Sequence, residues 1–298
     1  MKILVGILYS GENEFEQCIA SINRQKRVDF DIYRVSGKKN AEAHDELYGY
    51  FMAHSGNYDI LVKVDADMVI CVDNLFEMIH DEFCRNKLLD RLFVPVFDHF
   101  VLDNLGGVNA YRNTVTWEKN AGLFFTDMVH RKQSIRETVK WEVPSDKPLI
   151  DHCPDPGTFQ SFHFGFHRTM KAFQPGIRLW QTRIQKIHWN SIRRMYRIGL
   201  EDMLRLDRCQ GTKVPPRNGP HLPRLYALAG SECALSGRYR GEHIQRSDPS
   251  VHAAFKLVDE KIRNGATLNE LTPLLKSALN RRPPLDYWFQ FIKFRLTT

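Results

Sequence analysis

Residues 59–70 read DILVKVDADMVI, and the fold turns on how this stretch is read. The stretch DILVKVDADMVI predicts a third strand, whose buried, β-branched run ILVKV ends in the two carboxylates of Asp65-Ala66-Asp67. Working outward, DNLFEMIHDEFCRN (73–86) follows with helical character. Upstream, KILVGILY (2–9) predicts a first strand, closed by the turn Ser10-Gly11-Glu12-Asn13. EFEQCIASINRQ (14–25) then sets Phe15, Cys18, Ile19 and Ile22 on one helical face. DFDIYRVSG (29–37) predicts a second strand, and AEAHDELYGYFMAHSG (41–56) a second helix with Ala43, Leu47, Tyr50 and Phe51 inward. Strand and helix alternate three times, so we expect an α/β domain with a mainly parallel central sheet. Ligands of such sheets bind at the carboxyl ends of the strands.

Farther along, RLFVPVFDHFVL (91–102) and GGVNAYRNTVTW (106–117) predict a fourth and a fifth strand, and 113–158 predicts loops and short elements. From about 159 the chain turns helical and basic, with a Pro/Gly-rich break at TKVPPRNGPHLPR (212–224). The net charge of +7 is unevenly spread: residues 1–150 carry 18 Lys/Arg against 23 Asp/Glu, residues 151–298 carry 24 against 12. We therefore expect a catalytic α/β domain over 1–190 and a basic, mostly helical extension over 191–298. With 43% hydrophobic and 26% charged residues, the chain is neither disordered nor coiled-coil, and no run nears the ~18 apolar residues of a membrane span. MKILVGILYSGENE reads as a strand, not a signal peptide. The cysteines (18, 71, 84, 153, 209, 233) show no C-x-x-C pair, which predicts free thiols and a cytoplasmic location.

A carboxylate pair at the carboxyl edge of a sheet suits a hard divalent cation, which takes one or two protein carboxylates together with phosphate oxygens. A D-x-D alone is a weak signal; two β-α units and an apolar strand ahead of it make it more specific. At these residues the sequence resembles the large family of inverting, nucleotide-sugar-dependent glycosyltransferases with the GT-A fold. The match covers roughly residues 2–115, through ILVGILYSGENEFEQCIASI, KKNAEAHDELYGYFMAHSGNYDILVKVDAD and GGVNAYRNT. The resemblance implies a Rossmann-like GT-A domain that binds a nucleoside-diphosphate sugar and Mn or Mg. It implies that Tyr9, Ser10 and Glu12 line the nucleotide pocket with Ser36, Asn40 and Lys63, that Asp65 approaches the ribose or metal, and that Asp67 holds the metal on the diphosphate. One departure is plain: the family's second strand usually ends in an Asp that reads uracil, whereas this one ends in Ser36-Gly37, which leaves the base open.

Glycosyl transfer also needs a base for the acceptor hydroxyl, a task suited to a carboxylate. The candidates are Asp127, Asp151 and Asp155, with Asp202 more distant; Asp155 is favoured because DHCPDPGTF (151–159) is loop-like and precedes a histidine cluster. His163 and His167 stand at i, i+4 in FQSFHFGFHR, on one helical face. A downstream His completes the metal shell in many GT-A enzymes, and His163 is the expected ligand, His188 the next choice. The other reading packs both histidines among Phe159, Phe162, Phe164 and Phe166. Arg168 and Lys171 are either a phosphate clamp or a solvated face.

Arg193, Arg194, Arg197, Arg205 and Arg208 crowd one helical region, and the tail 287–295 is aromatic and basic. Two readings stand: peripheral contact with an anionic membrane, suited to a glycan or lipid-linked acceptor, or a helix docked by the same aromatics. Nucleic acid is disfavoured, since no binding motif accompanies the charge. Two other classes compete with the transferase. One is a haloacid-dehalogenase-like phosphohydrolase with Asp65 as nucleophile and Asp67 as acid/base; the other is a non-catalytic carbohydrate- or membrane-binding protein.

Overall fold

The computed structural model describes residues 1–120, 131–173, 187–199, 222–236 and 249–263. The chain divides into two compact units, Met1–Pro156 and Gly157–Thr298. The division precedes the expected 190/191 boundary, which would fall inside a helix spanning 187–199.

The first unit runs β1 (Ile3–Tyr9), α1 (Phe15–Asn23), β2 (Phe30–Ser36), α2 (Asn40–Ala53), β3 (Ile60–Asp65), β4 (Met68–Ile70), α3 (Leu75–Arg85), β5 (Leu89–Asp98), β6 (Asp103–Arg112), β7 (Glu137–Lys140) and β8 (Ile150–His152). The sheet order is β2-β1-β3-β6-β5-β8-β4, with β7 paired to β5. Side chains alternate across each strand, so β1 feeds two layers. Ile3, Val5 and Ile7 pack with Cys18 and Ile22 of α1 and with Phe76, Ile79 and Phe83 of α3. On the other face Leu4 and Leu61 meet Ala43, Leu47, Tyr48 and Phe51 of α2 and Trp117. Gly6 is the gap in that second row, because a Cβ there would run into the Leu47 side chain.

Two features depart from the sequence expectation. First, the sheet is mixed. β2-β1-β3, β5-β7 and β5-β8 pair in parallel, but β6 is antiparallel to both β3 and β5, and β4 to β8. The short link 99–102 returns β5 directly into β6, which inserts next to β3 in the reverse sense. Second, DILVKVDADMVI is not one strand: it breaks at Ala66-Asp67, and β4 joins the far end of the sheet. In a flat sheet, four strand spacings would separate β3 from β4 by roughly 19 Å. The three virtual bonds from Asp65 to Met68 reach at most about 11 Å. The sheet therefore curls until its far end meets the exit of β3, aided by the irregularity between Pro95 and Phe97 in β5. The hydrogen bond from Cys153 N to Asp67 O (2.8 Å) closes that contact.

The second unit contains α4 (Thr158–Phe173), α5 (187–199), α6 (Leu222–Ser236) and α7 (Pro249–Arg263). α4 and α6 approach so closely that a Cβ on Gly165 would strike the Ala227 carbonyl, and one on Gly230 the Phe162 carbonyl. Phe255 of α7 packs on Phe159 and Phe162 at 5.1 and 5.6 Å. Arg193, Arg194 and Arg197 form the exposed face of α5 while Ile192, Met195 and Tyr196 are buried. Asp127, Asp202, Arg205, Arg208 and the 287–295 tail lie outside the described residues. No described helix is long and apolar enough to cross a membrane.

Candidate functional site

β1 sits between β2 and β3, and the chain leaves it on one side to α1 and β2 and returns on the other as β3. That reversal is a topological switch point, where open α/β sheets bind ligands at the strand ends. The turn after β1 and the turn after β3 flank it, tied by the hydrogen bond from Ala66 N to Leu8 O (3.1 Å). Ser10 and Glu12 form one turn: Ser10 N donates to Glu12 Oε2 at 2.6 Å, and Ser10 Oγ donates to Glu12 Oε1. Tyr9 packs on Phe15 (ring centroids 4.3 Å) and lies beside Ser36 in the β1–β2 register. Asn40 opens α2 and is exposed.

The curl brings β8 to the exit of β3. There Asp67 Oδ2 lies 3.4 Å from His152 Nε2 and 3.5 Å from Cys153 Sγ, and Sγ is 3.7 Å from Nε2. His152 Nδ1 donates to Asp98 Oδ2 at 2.8 Å. Asp98 is 0% exposed, and its other oxygen accepts the Phe100 and Val101 amides, both at 2.9 Å. Cys153 takes a left-handed backbone (φ 53°), which turns the chain directly after His152. Asp67 Oδ1 is buried with no hydrogen-bond partner among the described residues. One carboxylate, one imidazole and one thiol, with donor atoms all within 4.8 Å of one another, suit a divalent ion. Oδ2 faces the other two donors, and the partnerless Oδ1 is a second acceptor on the same carboxylate.

Electrostatics at the cluster follow from burial and from these partners. Burial opposes the charged form of His152, yet Cys153, Asp67 and the hydrogen bonds to Asp67 and Asp98 hold its pKa well above the usual imidazole range. Burial also pushes the Cys153 thiol well up. Asp67 is held below the ordinary carboxylate range: burial raises it, and His152 and the Cys153 hydrogen bond outweigh that.

The other expected site residues separate into groups. Asp65 pairs with Lys63 at 3.0 Å, and Lys63 is only 4% exposed, so its ammonium meets the motif's own carboxylate. Asp155 is exposed and fastened to the turn after β1: its carbonyl accepts Asn13 Nδ2 at 2.7 Å, and its amide donates to the buried Glu14 at 3.2 Å. Asp151 points to the opposite side of β8 from His152 and lies 3.2 Å from His99 Nε2, whose proximity lowers its pKa. His163 lies on α4, where its ring stacks on His167 (5.5 Å) and leans on Phe159 (6.4 Å). Within the first unit, the histidine that meets Asp67 is His152. Arg168 Nη1 donates to His188 Nδ1 at 3.1 Å and covers the Phe164 ring. Burial, then the neighbouring cations, pushes both His167 and His188 well below the usual range.

Sequence reasoning missed Asp98, His152 and Cys153. The adjacent His and Cys in DHCPDP were a local signal, but nothing local marks Asp98 as their partner. No protein-family model matches the chain, and no curated protein matches it. Among solved structures, the crystal structure of A197 from STIV is similar at 18% identity and a TM-score of 0.25, over 33% of this chain and 47% of that one. The chain thus spans about half of that structure's length, and a likeness this low carries no argument.

Proposed function

We propose that the chain is a metal-dependent glycosyltransferase built on a GT-A-like domain. It moves a sugar from a nucleoside-diphosphate donor to a hydroxyl of a glycan or lipid-linked acceptor, at the cytoplasmic side of a membrane. The observation that carries this reading is Asp67: a carboxylate in the turn after β3, beside the switch point, with a buried unsatisfied oxygen and a histidine partner.

Asp67 and His152 would hold the divalent ion, and Asp98 keeps Nε2 of His152 turned toward Asp67. When bound, the ion supplies Lewis-acid charge to the departing diphosphate. Lys63 fixes the Asp65 carboxylate, which accepts from donor hydroxyls. The turn Ser10–Asn13 borders the nucleotide. Asp155, anchored through its backbone to Asn13 and Glu14, takes the acceptor proton. Asp151 is the weaker candidate because it faces His99 on the other side of β8.

The test is nucleoside diphosphate release from a panel of nucleotide sugars, with and without divalent ions. Turnover with one donor class, lost in Asp67→Ala, supports the proposal; near-normal turnover in Asp67→Ala overturns it. Asp155→Asn should lower turnover about 10²–10⁴-fold with donor KM little changed.

A further inference from the structure

We infer that Cys153 is a third protein ligand at this centre, so that the ion it selects belongs to the zinc class and not to the magnesium or manganese expected from sequence. The inference rests on reading Asp67 and His152 as an ion site, and not on the reaction that the ion serves.

Three observations carry it. The first is donor chemistry. Magnesium and calcium take oxygen ligands almost entirely. A thiol and an imidazole facing one carboxylate form a mixed S, N, O set, which favours zinc or cobalt. The second is spacing. Zinc bonds of about 2.0–2.3 Å at tetrahedral angles give ligand–ligand edges of roughly 3.3–3.6 Å. The O···N, O···S and N···S separations here are 3.4, 3.5 and 3.7 Å. Octahedral magnesium, with bonds of about 2.0–2.1 Å at right angles, requires edges near 2.9 Å. The third is support. Asp98 holds the far nitrogen of His152 at 2.8 Å, the carboxylate–histidine arrangement that orients imidazole toward a metal. The Cys153 amide bonds the Asp67 carbonyl at 2.8 Å, and its left-handed backbone returns the thiol toward Asp67.

Zinc sites that act on substrate use three protein ligands and take the fourth from water or substrate, and the three donors among the described residues match that count. Asp67 and His152 keep 20% and 13% of their side-chain surface exposed while Cys153 is buried. A diphosphate oxygen or a water is the chemistry that fits the fourth position.

The experiment is a cobalt titration of the full chain after chelator treatment, in the absence of nucleotide. The expected result is a near-ultraviolet thiolate-to-cobalt charge-transfer band with the strong visible bands of a four-coordinate ion. Stoichiometric zinc should bleach both, and excess magnesium should not. In Cys153→Ser the charge-transfer band should vanish and zinc affinity fall more than about 10-fold. In Asp98→Asn the band should persist with affinity lowered about 10–100-fold. A wild-type cobalt adduct without the charge-transfer band overturns the inference, even if Cys153→Ser does not fold. So does a band that survives in Cys153→Ser, or displacement by magnesium at concentrations comparable to zinc. Nucleotide-sugar turnover is read separately: its absence beside an intact cobalt band defeats the transferase reading and leaves this inference standing.

Discussion

His152 Nδ1 donates to Asp98 Oδ2 at 2.8 Å although 54 positions separate the two residues, and Asp98 is wholly buried at the end of β5. Without that carboxylate a buried imidazole would keep a proton with only Asp67 to balance it. Removing one member of such a pair typically destabilises by about 3–5 kcal/mol. Asp98→Ala should therefore lower the unfolding free energy from urea melts by an amount in that range, seen as a lower midpoint at unchanged slope. An unchanged midpoint would show that the Asp98–His152 bond contributes nothing.

A second buried carboxylate gives a pH prediction. Asp90 is 0% exposed, accepts Arg136 Nε and Nη2 at 2.8 and 2.7 Å, and accepts Thr114 Oγ1 at 2.8 Å. Burial raises its pKa, but the bonds from Arg136 and Thr114 more than offset this, and it lies below the usual value. A depressed carboxylate contributes stability that is full above the unfolded pKa of about 3.9 and lost as pH falls through the folded value. Urea melts should thus weaken on acidification below about pH 4, and Asp90→Asn should flatten that limb. An acid limb of equal slope in the variant would contradict this.

Two glycines in helices should answer alanine in opposite ways. A Cβ on Gly165 in α4 meets the Ala227 backbone carbonyl, which cannot step aside, so Gly165→Ala should destabilise by about 1–3 kcal/mol or more. A Cβ on Gly49 in α2 meets nothing within 4 Å, so Gly49→Ala should stabilise by about 0.5–1 kcal/mol. Calorimetric melts of both variants check the contrast, and a loss at Gly49 equal to that at Gly165 would refute it.

From β1 to α3, every element but β4 was legible because each carries its own period. Ile3, Val5 and Ile7 alternate, and Cys18 and Ile22 of α1 repeat at helical spacing. The position of Asp65 and Asp67 at a strand exit followed from that. The curl did not: β4 and β8 have three residues each, too few to show a period, and their pairing is set by β5 and β6. His152 escaped for the same reason, since its partners Asp67 and Asp98 reach it only through the curled sheet. His163 and His167 attracted notice by i, i+4 spacing, yet on α4 that spacing stacks the two rings on each other. The charge asymmetry, counted across 150/151, falls six residues before the division at Pro156/Gly157, whereas the expected 190/191 boundary lies beyond it.

The most direct measurement of the central claim is the melting temperature of the full chain against a panel of nucleoside diphosphates, with chelator or with a divalent ion, in wild type and Asp67→Ala. The account predicts that one nucleoside diphosphate raises it only with the ion and only in wild type. A ligand at 100 times its Kd should add about 2.7 kcal/mol. Stabilisation that persists in chelator or in Asp67→Ala, or none with any nucleoside diphosphate, would contradict it.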